Sequence, residues 1–135
     1  MNDVEQKILG LVAERQHVSF VEIKRLLGED SRGEIWLALP KHPNIILWSN
    51  MSETMADAIT SLVKTGRLYA HPSSVLVYIV DGESLNLPLA KQARQYKKPH
   101  WLPVVLCTFP PYQRRRHTVP GGGWIREGKE VKKDG

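Results

Sequence analysis

The chain has 135 residues, of which 41% are hydrophobic and 24% are charged, a composition typical of one soluble globular domain. It excludes collagen, coiled-coil and wholly disordered classes, and the longest apolar runs (75–80 and 101–107) are far shorter than the roughly 20 residues of a membrane span. The acidic N-terminus lacks the apolar core of a secretion signal. A single cysteine, Cys107, excludes an intrachain disulfide and a multi-cysteine metal knuckle. We therefore expect a cytoplasmic protein.

The net charge of +5 is distributed unevenly along the chain. Residues 1–90 contain eight Lys and Arg against eleven Asp and Glu, a balance of −3, whereas residues 91–135 contain eleven against three, a balance of +8. No acidic residue occurs between Glu83 and Glu127. Such a contrast between segments indicates a partner that is a nucleic acid or another anionic surface, the alternative being a solvated basic tail.

Two amphipathic helices are predicted at the start of the chain. Apolar residues recur at helical spacing over 3–15, and Ser19 followed by Glu22 forms a capping-box pattern before a second helix over 20–27. A short helix is expected over 34–39, ended by Pro40.

A strand, a third helix and a hairpin are predicted next. The apolar run 45–48 is typical of a buried strand, and residues 51–65 form a helix whose core face carries Met55, Ile59 and Leu62. Two β-rich runs over 67–80, separated by a short polar turn, predict a hairpin.

This order of elements resembles the winged-helix superfamily over roughly residues 3–82. The residues that carry the resemblance are those of the segment Ala58-Ile59-Thr60-Ser61-Leu62-Val63-Lys64-Thr65-Gly66-Arg67-Leu68 and the hairpin that follows it. The chain departs from the superfamily pattern by an insert over 28–50. The resemblance implies an α+β fold with a winged-helix-like core, in which helices pack on a small antiparallel sheet with a β-hairpin wing.

The C-terminal part is predicted to extend this domain and then to become flexible. Residues 89–98 are expected to form a short basic helix, and Trp101 opens an apolar run that belongs to the core. Beyond Pro110 the apolar periodicity ends. We therefore predict one domain over 1–110 and a basic, Gly- and Pro-containing, partly disordered tail over 111–135.

The winged-helix resemblance implies DNA binding through the third helix and the wing. The exposed face of the third helix contains Glu53 and Asp57, which suit a phosphate-lined groove poorly, so the basic C-terminal segment is the better candidate. Its aromatic residue Tyr96 has either a core or a contact role. The predicted nucleic-acid-binding residues are Lys64, Arg67, Lys91, Arg94, Lys97, Lys98, Arg114, Arg115 and Arg116.

Catalytic and metal sites are not expected. No two of the five histidines have the spacing of a helical metal site, and Cys107 lies in an apolar run that predicts a buried, inert thiol. It would act as a nucleophile only if folding brought His100 or His117 beside it. No cofactor is predicted.

The sequence thus predicts a nucleic-acid-binding protein, most simply a duplex-DNA-binding transcriptional regulator or accessory factor. Its small size, with no catalytic set, suits a protein of a phage or other mobile element. The alternative is a protein-protein interaction module, with a protein partner or a second copy of the chain. No membrane partner is expected.

Overall fold

The computed structural model describes residues 1–91, 94–111 and 125–127 and has a mixed α+β architecture. Its helices are α1 (Asp3–Arg15), α2 (Phe20–Leu27), α3 (Glu53–Lys64) and α4 (Val75–Asp81), with a 3-10 turn at Gly28–Ser31. Its strands are β1 (Arg32–Leu39), β2 (His42–Met51), β3 (Tyr69–Pro72), β4 (His100–Trp101), β5 (Val104–Cys107) and β6 (Ile125–Glu127). Over these ranges no helix is long and apolar enough to cross a membrane.

The three long helices lie where the sequence predicts them, because each begins at a side-chain cap. Ser19 Oγ accepts a hydrogen bond from the Glu22 backbone N–H at 3.2 Å at the start of α2, and Ser52 Oγ accepts one from Met55 at 3.0 Å at the start of α3. These oxygens satisfy amides that have no partner inside the helix. The predicted core face of α3 is confirmed, since Met55, Ile59 and Leu62 are buried and α3 packs against α1.

The short helix predicted over 34–39 is wrong, because these residues belong to strand β1. Strand β1 pairs with β2 as an antiparallel hairpin with several register shifts. The backbone of β1 approaches the end of β2 closely at Gly33, where an added Cβ would lie 2.6 Å from Ser52 Cα. The predicted strand over 45–48 is confirmed as the buried centre of β2. A continuous apolar run is locally compatible with a helix or a strand, and here pairing with β2 makes it a strand.

The hairpin predicted over 67–80 is also wrong. Only its first half is a strand, β3, and its partner is the distant β5, with Tyr69 opposite Cys107. The second half is helix α4, which Ser74 caps and left-handed Gly82 ends. The Tyr78 hydroxyl donates to the Val104 carbonyl at 2.6 Å and accepts from the Phe20 N–H at 3.2 Å. This tertiary anchor overrides the β propensity of the β-branched run.

The strands form two sheets. The larger has the order β4-β2-β1-β6, and the smaller pairs β3 with β5. Val18 adds an isolated antiparallel bridge to Leu106 on β5. Strand β6 falls in the region predicted as a flexible tail and pairs with β1; apart from Pro111 and β6, that tail lies outside the described residues.

An aromatic cluster joins the helices to the larger sheet. Trp48, Tyr78 and Trp101 are at most 1% exposed, and the ring centroids of Trp48 and Tyr78 are 5.0 Å apart. The Trp101 indole N–H donates to the Leu47 carbonyl at 3.2 Å, which satisfies its polar group inside the core. The predicted core position of Trp101 is confirmed. The buried Trp101 also holds the chain in place directly after residues 91–100.

Candidate nucleic-acid interface

The chain between Ala90 and Trp101 is held at both ends. The helix predicted over 89–98 does not form in the described residues of this stretch. The Ala90 N–H donates to the Trp101 carbonyl, and the Trp101 N–H donates to the Pro88 carbonyl, each at 2.8 Å. Pro99 cannot donate a helical hydrogen bond and disfavours helix at the residue before it. We call residues 91 and 94–100 the basic loop; residues 92 and 93 lie outside the described residues.

The basic loop lies against the tip of the β1–β2 hairpin. The Asn44 side-chain amide donates to the Tyr96 carbonyl at 2.8 Å, and the Gln95 amide donates to the Lys41 carbonyl at 2.9 Å. His100 pairs with Ile45 where β4 joins β2 in parallel. These contacts between distant segments bring Lys41 beside the loop.

Tyr96 has an anchoring role within the loop. Its hydroxyl accepts a hydrogen bond from the Lys91 N–H at 3.2 Å, and its ring stacks on His100 at a centroid distance of 3.9 Å. The Arg94 guanidinium carbon lies 4.6 Å from the ring centroid, a cation–π distance. The ring is half-buried and packs against the core. Tyr96 therefore orders the loop that displays the neighbouring cations.

Five cationic side chains share this region of the surface. All are exposed, and none is paired with a carboxylate in the described part of the chain. The described residues of this region come from two segments, 35–52 and 84–111, whose sequences contain no Asp or Glu. The local potential is therefore positive although residues 1–90 as a whole are net negative. The five residues are Lys41, Lys91, Arg94, Lys97 and Lys98.

The structure does not bring Lys64 and Arg67 to the basic loop. Both are exposed, and they precede β3, whose first residue pairs with the last residue of β5. The basic loop instead precedes Val104, the first residue of β5. The two groups of cations thus lie at opposite ends of the β3–β5 pair, and exposed Glu53 and Asp57 share helix α3 with Lys64.

Arg114, Arg115 and Arg116 lie outside the described residues, and their assignment stays a prediction.

Lys41 is a member of the basic surface that the sequence reasoning missed. The signal that would have found it is the absence of acidic residues over 35–52, the same criterion that marks the C-terminal segment. Its proximity to the loop depends on the pairing of β2 with β4, which no local pattern encodes.

The predicted burial of Cys107 is confirmed, since its side chain is inaccessible to solvent. Burial raises the pKa of the thiol, and a hydrogen bond from the backbone of His17 partly opposes this effect. The histidines beside it are His17 and His71. His100 lies instead on the basic loop, where its Nδ1 contacts the Lys98 carbonyl at 2.8 Å, and His117 lies outside the described residues.

Comparison of the chain with protein-family models, with curated proteins and with solved structures gives no match.

Proposed function

We propose that the protein binds duplex nucleic acid, most simply DNA, and contacts its phosphates through the basic loop and Lys41. The observation that carries the proposal is the convergence of two acid-free segments into one surface with five exposed cations. Lysine and arginine neutralise phosphates and release the counterions condensed on them. Arg94 also presents the planar fork that matches phosphate oxygens.

The role of Tyr96 favours a duplex over a single strand. Single-strand binders offer open aromatic faces on which unpaired bases stack. The Tyr96 ring is instead half-buried, with His100 stacked on it and Arg94 over it. What the loop offers to a ligand is charge, and charge suits the outer phosphates of a duplex. Such contacts position a protein on the duplex but carry no base sequence directly.

A winged-helix interpretation places the basic loop in the wing. The bridge of Val18 to β5 and the pairing of β5 with β3 match a three-stranded winged-helix sheet in which β5 is central. The connection from β3 to β5 would then be an enlarged wing that contains α4 and the basic loop. Helix α3 takes the third-helix position, and the β1–β2 hairpin is the insert before it. This interpretation supports an accessory or regulatory DNA-binding role.

The proposal predicts binding that weakens steeply with salt. With four or five phosphates neutralised, the plot of log affinity against log salt should have a slope of about −4, so that a fourfold rise in salt weakens binding roughly 300-fold. Fluorescence anisotropy of the full chain with a labelled random duplex, and with the matching single strand, measures this slope. Absence of salt-sensitive binding to both ligands would exclude the proposal.

The alternative function is a protein-interaction module, and helix α4 favours it. Leu76, Ile79 and Val80 lie at helical spacing and are 58–82% exposed, which is an apolar face that a partner protein or a second copy of the chain would cover. The same salt series separates the two functions, because an interaction module lacking nucleic-acid contacts gives no binding at any salt concentration.

A further inference from the structure

A second cluster of polar side chains lies against the β3–β5 pair and includes no residue of the basic loop. It consists of His17, His71 and Cys107, whose potential metal-ligating atoms all lie within 4.8 Å of one another. The ring centroids of the two histidines are 5.7 Å apart. The ring of Phe109 stands edge-on beside both, at 5.0 Å from His71 and 5.9 Å from His17.

Strand pairing brings His71 and Cys107 to one face. His71 is directly opposite Val105, and Cys107 is two residues further along the same strand. Because side chains alternate between the faces of a strand and opposite residues share a face, His71 and Cys107 are diagonal neighbours. Their proximity is thus fixed by the register of β3 and β5.

A separate set of hydrogen bonds brings His17 to the same place. The Gln16 side chain donates to Thr108 Oγ1 at 2.8 Å and accepts from the Thr108 N–H at 2.9 Å. Val18 and Leu106 exchange both backbone hydrogen bonds. Between these attachments His17 adopts φ of 54°, in the left-handed region, which is unfavourable for a residue with a side chain. The fold thus holds His17 beside Cys107 against a local conformational cost.

We propose that His17, His71 and Cys107 bind a divalent metal ion of the zinc class, with solvent as the fourth ligand. Imidazole nitrogen and thiolate sulfur are both zinc ligands, and three protein ligands with an open fourth position are found in zinc sites. As the sulfur–metal bond forms, the thiol proton leaves to solvent. This assignment departs from the sequence prediction of an inert thiol.

The surroundings of the cluster also fit metal binding. His71 Nε2 lies 2.8 Å from the Phe109 carbonyl oxygen. A carbonyl only accepts, so Nε2 carries the proton and Nδ1 is left as the ligand atom. Such an outer hydrogen bond orients metal-binding histidines generally.

The separations require only a small adjustment. Zinc bonds of about 2.0–2.1 Å to nitrogen and 2.3 Å to sulfur in a tetrahedron hold the ligand atoms roughly 3.3–3.6 Å apart. The ligand atoms lie within 4.8 Å of one another, so each pair closes by at most about 1.2–1.5 Å to reach these separations, and the His17 side chain is exposed. The same exposure gives an ion access from solvent.

A nucleophilic role for Cys107 fits the structure less well than metal binding. A reactive cysteine is partly exposed and has a lowered pKa, whereas Cys107 is fully buried and its pKa is raised. A substrate molecule would not reach the buried sulfur. A single metal ion, bound first by the exposed His17, would reach it. The metal proposal is independent of nucleic-acid binding, since the basic loop contributes none of the three ligands.

Metal titration of the full chain tests the proposal. The protein is purified without a histidine tag, stripped with a chelator, and titrated with Zn²⁺ by calorimetry and with Co²⁺ by absorption spectroscopy. We expect one ion per chain, a thiolate-to-cobalt charge-transfer band, and a higher unfolding temperature with zinc, because the ion binds the folded state. A full chain that gives no cobalt–thiolate band and takes up no zinc would overturn the proposal.

Single-site variants identify the ligands. His17→Ala changes an exposed side chain and should weaken zinc binding about tenfold or more, since even outer-shell changes cost 10–100-fold. Cys107→Ser should remove the cobalt–thiolate band while the circular dichroism spectrum stays folded. His42→Ala, which removes a histidine on β2 outside the cluster, is the matched control. Equal losses of zinc affinity in His17→Ala and His42→Ala would contradict the assignment.

Discussion

Replacing Arg94, Lys97 and Lys98 together by alanine should weaken duplex binding about 100-fold or more at 50 mM salt and reduce the steepness of the salt dependence by nearly 3 units. Each of these side chains is exposed on the basic loop. Each substitution should therefore remove one phosphate contact. The fold should persist, because the largest interaction lost is the cation–π contact of Arg94 with Tyr96, worth about 1 kcal/mol at an exposed site.

The control for this variant has the same change in net charge at a different place. Lys7, Arg15 and Arg32 are exposed. Their replacement by alanine breaks the exposed ion pair of Arg32 with Glu29, which is worth little, and the pair of Arg15 with the largely buried Glu22. If duplex binding depends on net charge alone, the two triple variants will bind equally. We expect the slope of log affinity against log salt to become less steep in the loop variant and to stay unchanged in the control.

Ile59→Ala should lower the free energy of unfolding by about 2–5 kcal/mol, the cost of truncating a buried aliphatic side chain and leaving a cavity. Ile59 is fully buried on α3, and α3 packs against α1 and β1. For a domain of this size the loss corresponds to a fall of roughly 8–20 °C in the unfolding temperature, which thermal denaturation measures.

Ile79→Ala is the matched control for the packing of α3. It deletes the same atoms on helix α4, where the side chain is 58% exposed, and it should change the free energy of unfolding by about 0.5 kcal/mol or less. Similar losses in both variants would show that α3 does not bear the core contacts assigned to it.

The sequence predicted α1, α2 and α3 because their signals are local. Ser19 and Ser52 are caps that act within three residues, and helical periodicity needs no distant partner. Strand β1 was missed because its apolar run becomes a strand only when β2 pairs with it. Helix α4 was missed although Ser74 and Gly82 bracket it, because the β-branched composition outweighed these end signals in the prediction.

Each candidate site depends on contacts between distant segments, which local sequence patterns do not predict. The charge of the basic loop can be read from composition, whereas the contribution of Lys41 depends on the hydrogen bond between Gln95 and the hairpin tip. The metal cluster joins residues 17, 71 and 107, and a spacing search along the chain cannot detect such a set. The positive φ of His17, which accompanies the cluster, is likewise visible only in the fold.

The most direct test of the central claim is to map the binding surface residue by residue. Backbone amide NMR signals of the isotope-labelled chain are followed while a short random duplex is added at low salt. We expect the largest shift changes at residues 94–100 and around Lys41, with small changes along the exposed face of α3. Changes concentrated on α3, with the basic loop unaffected, would contradict the claim.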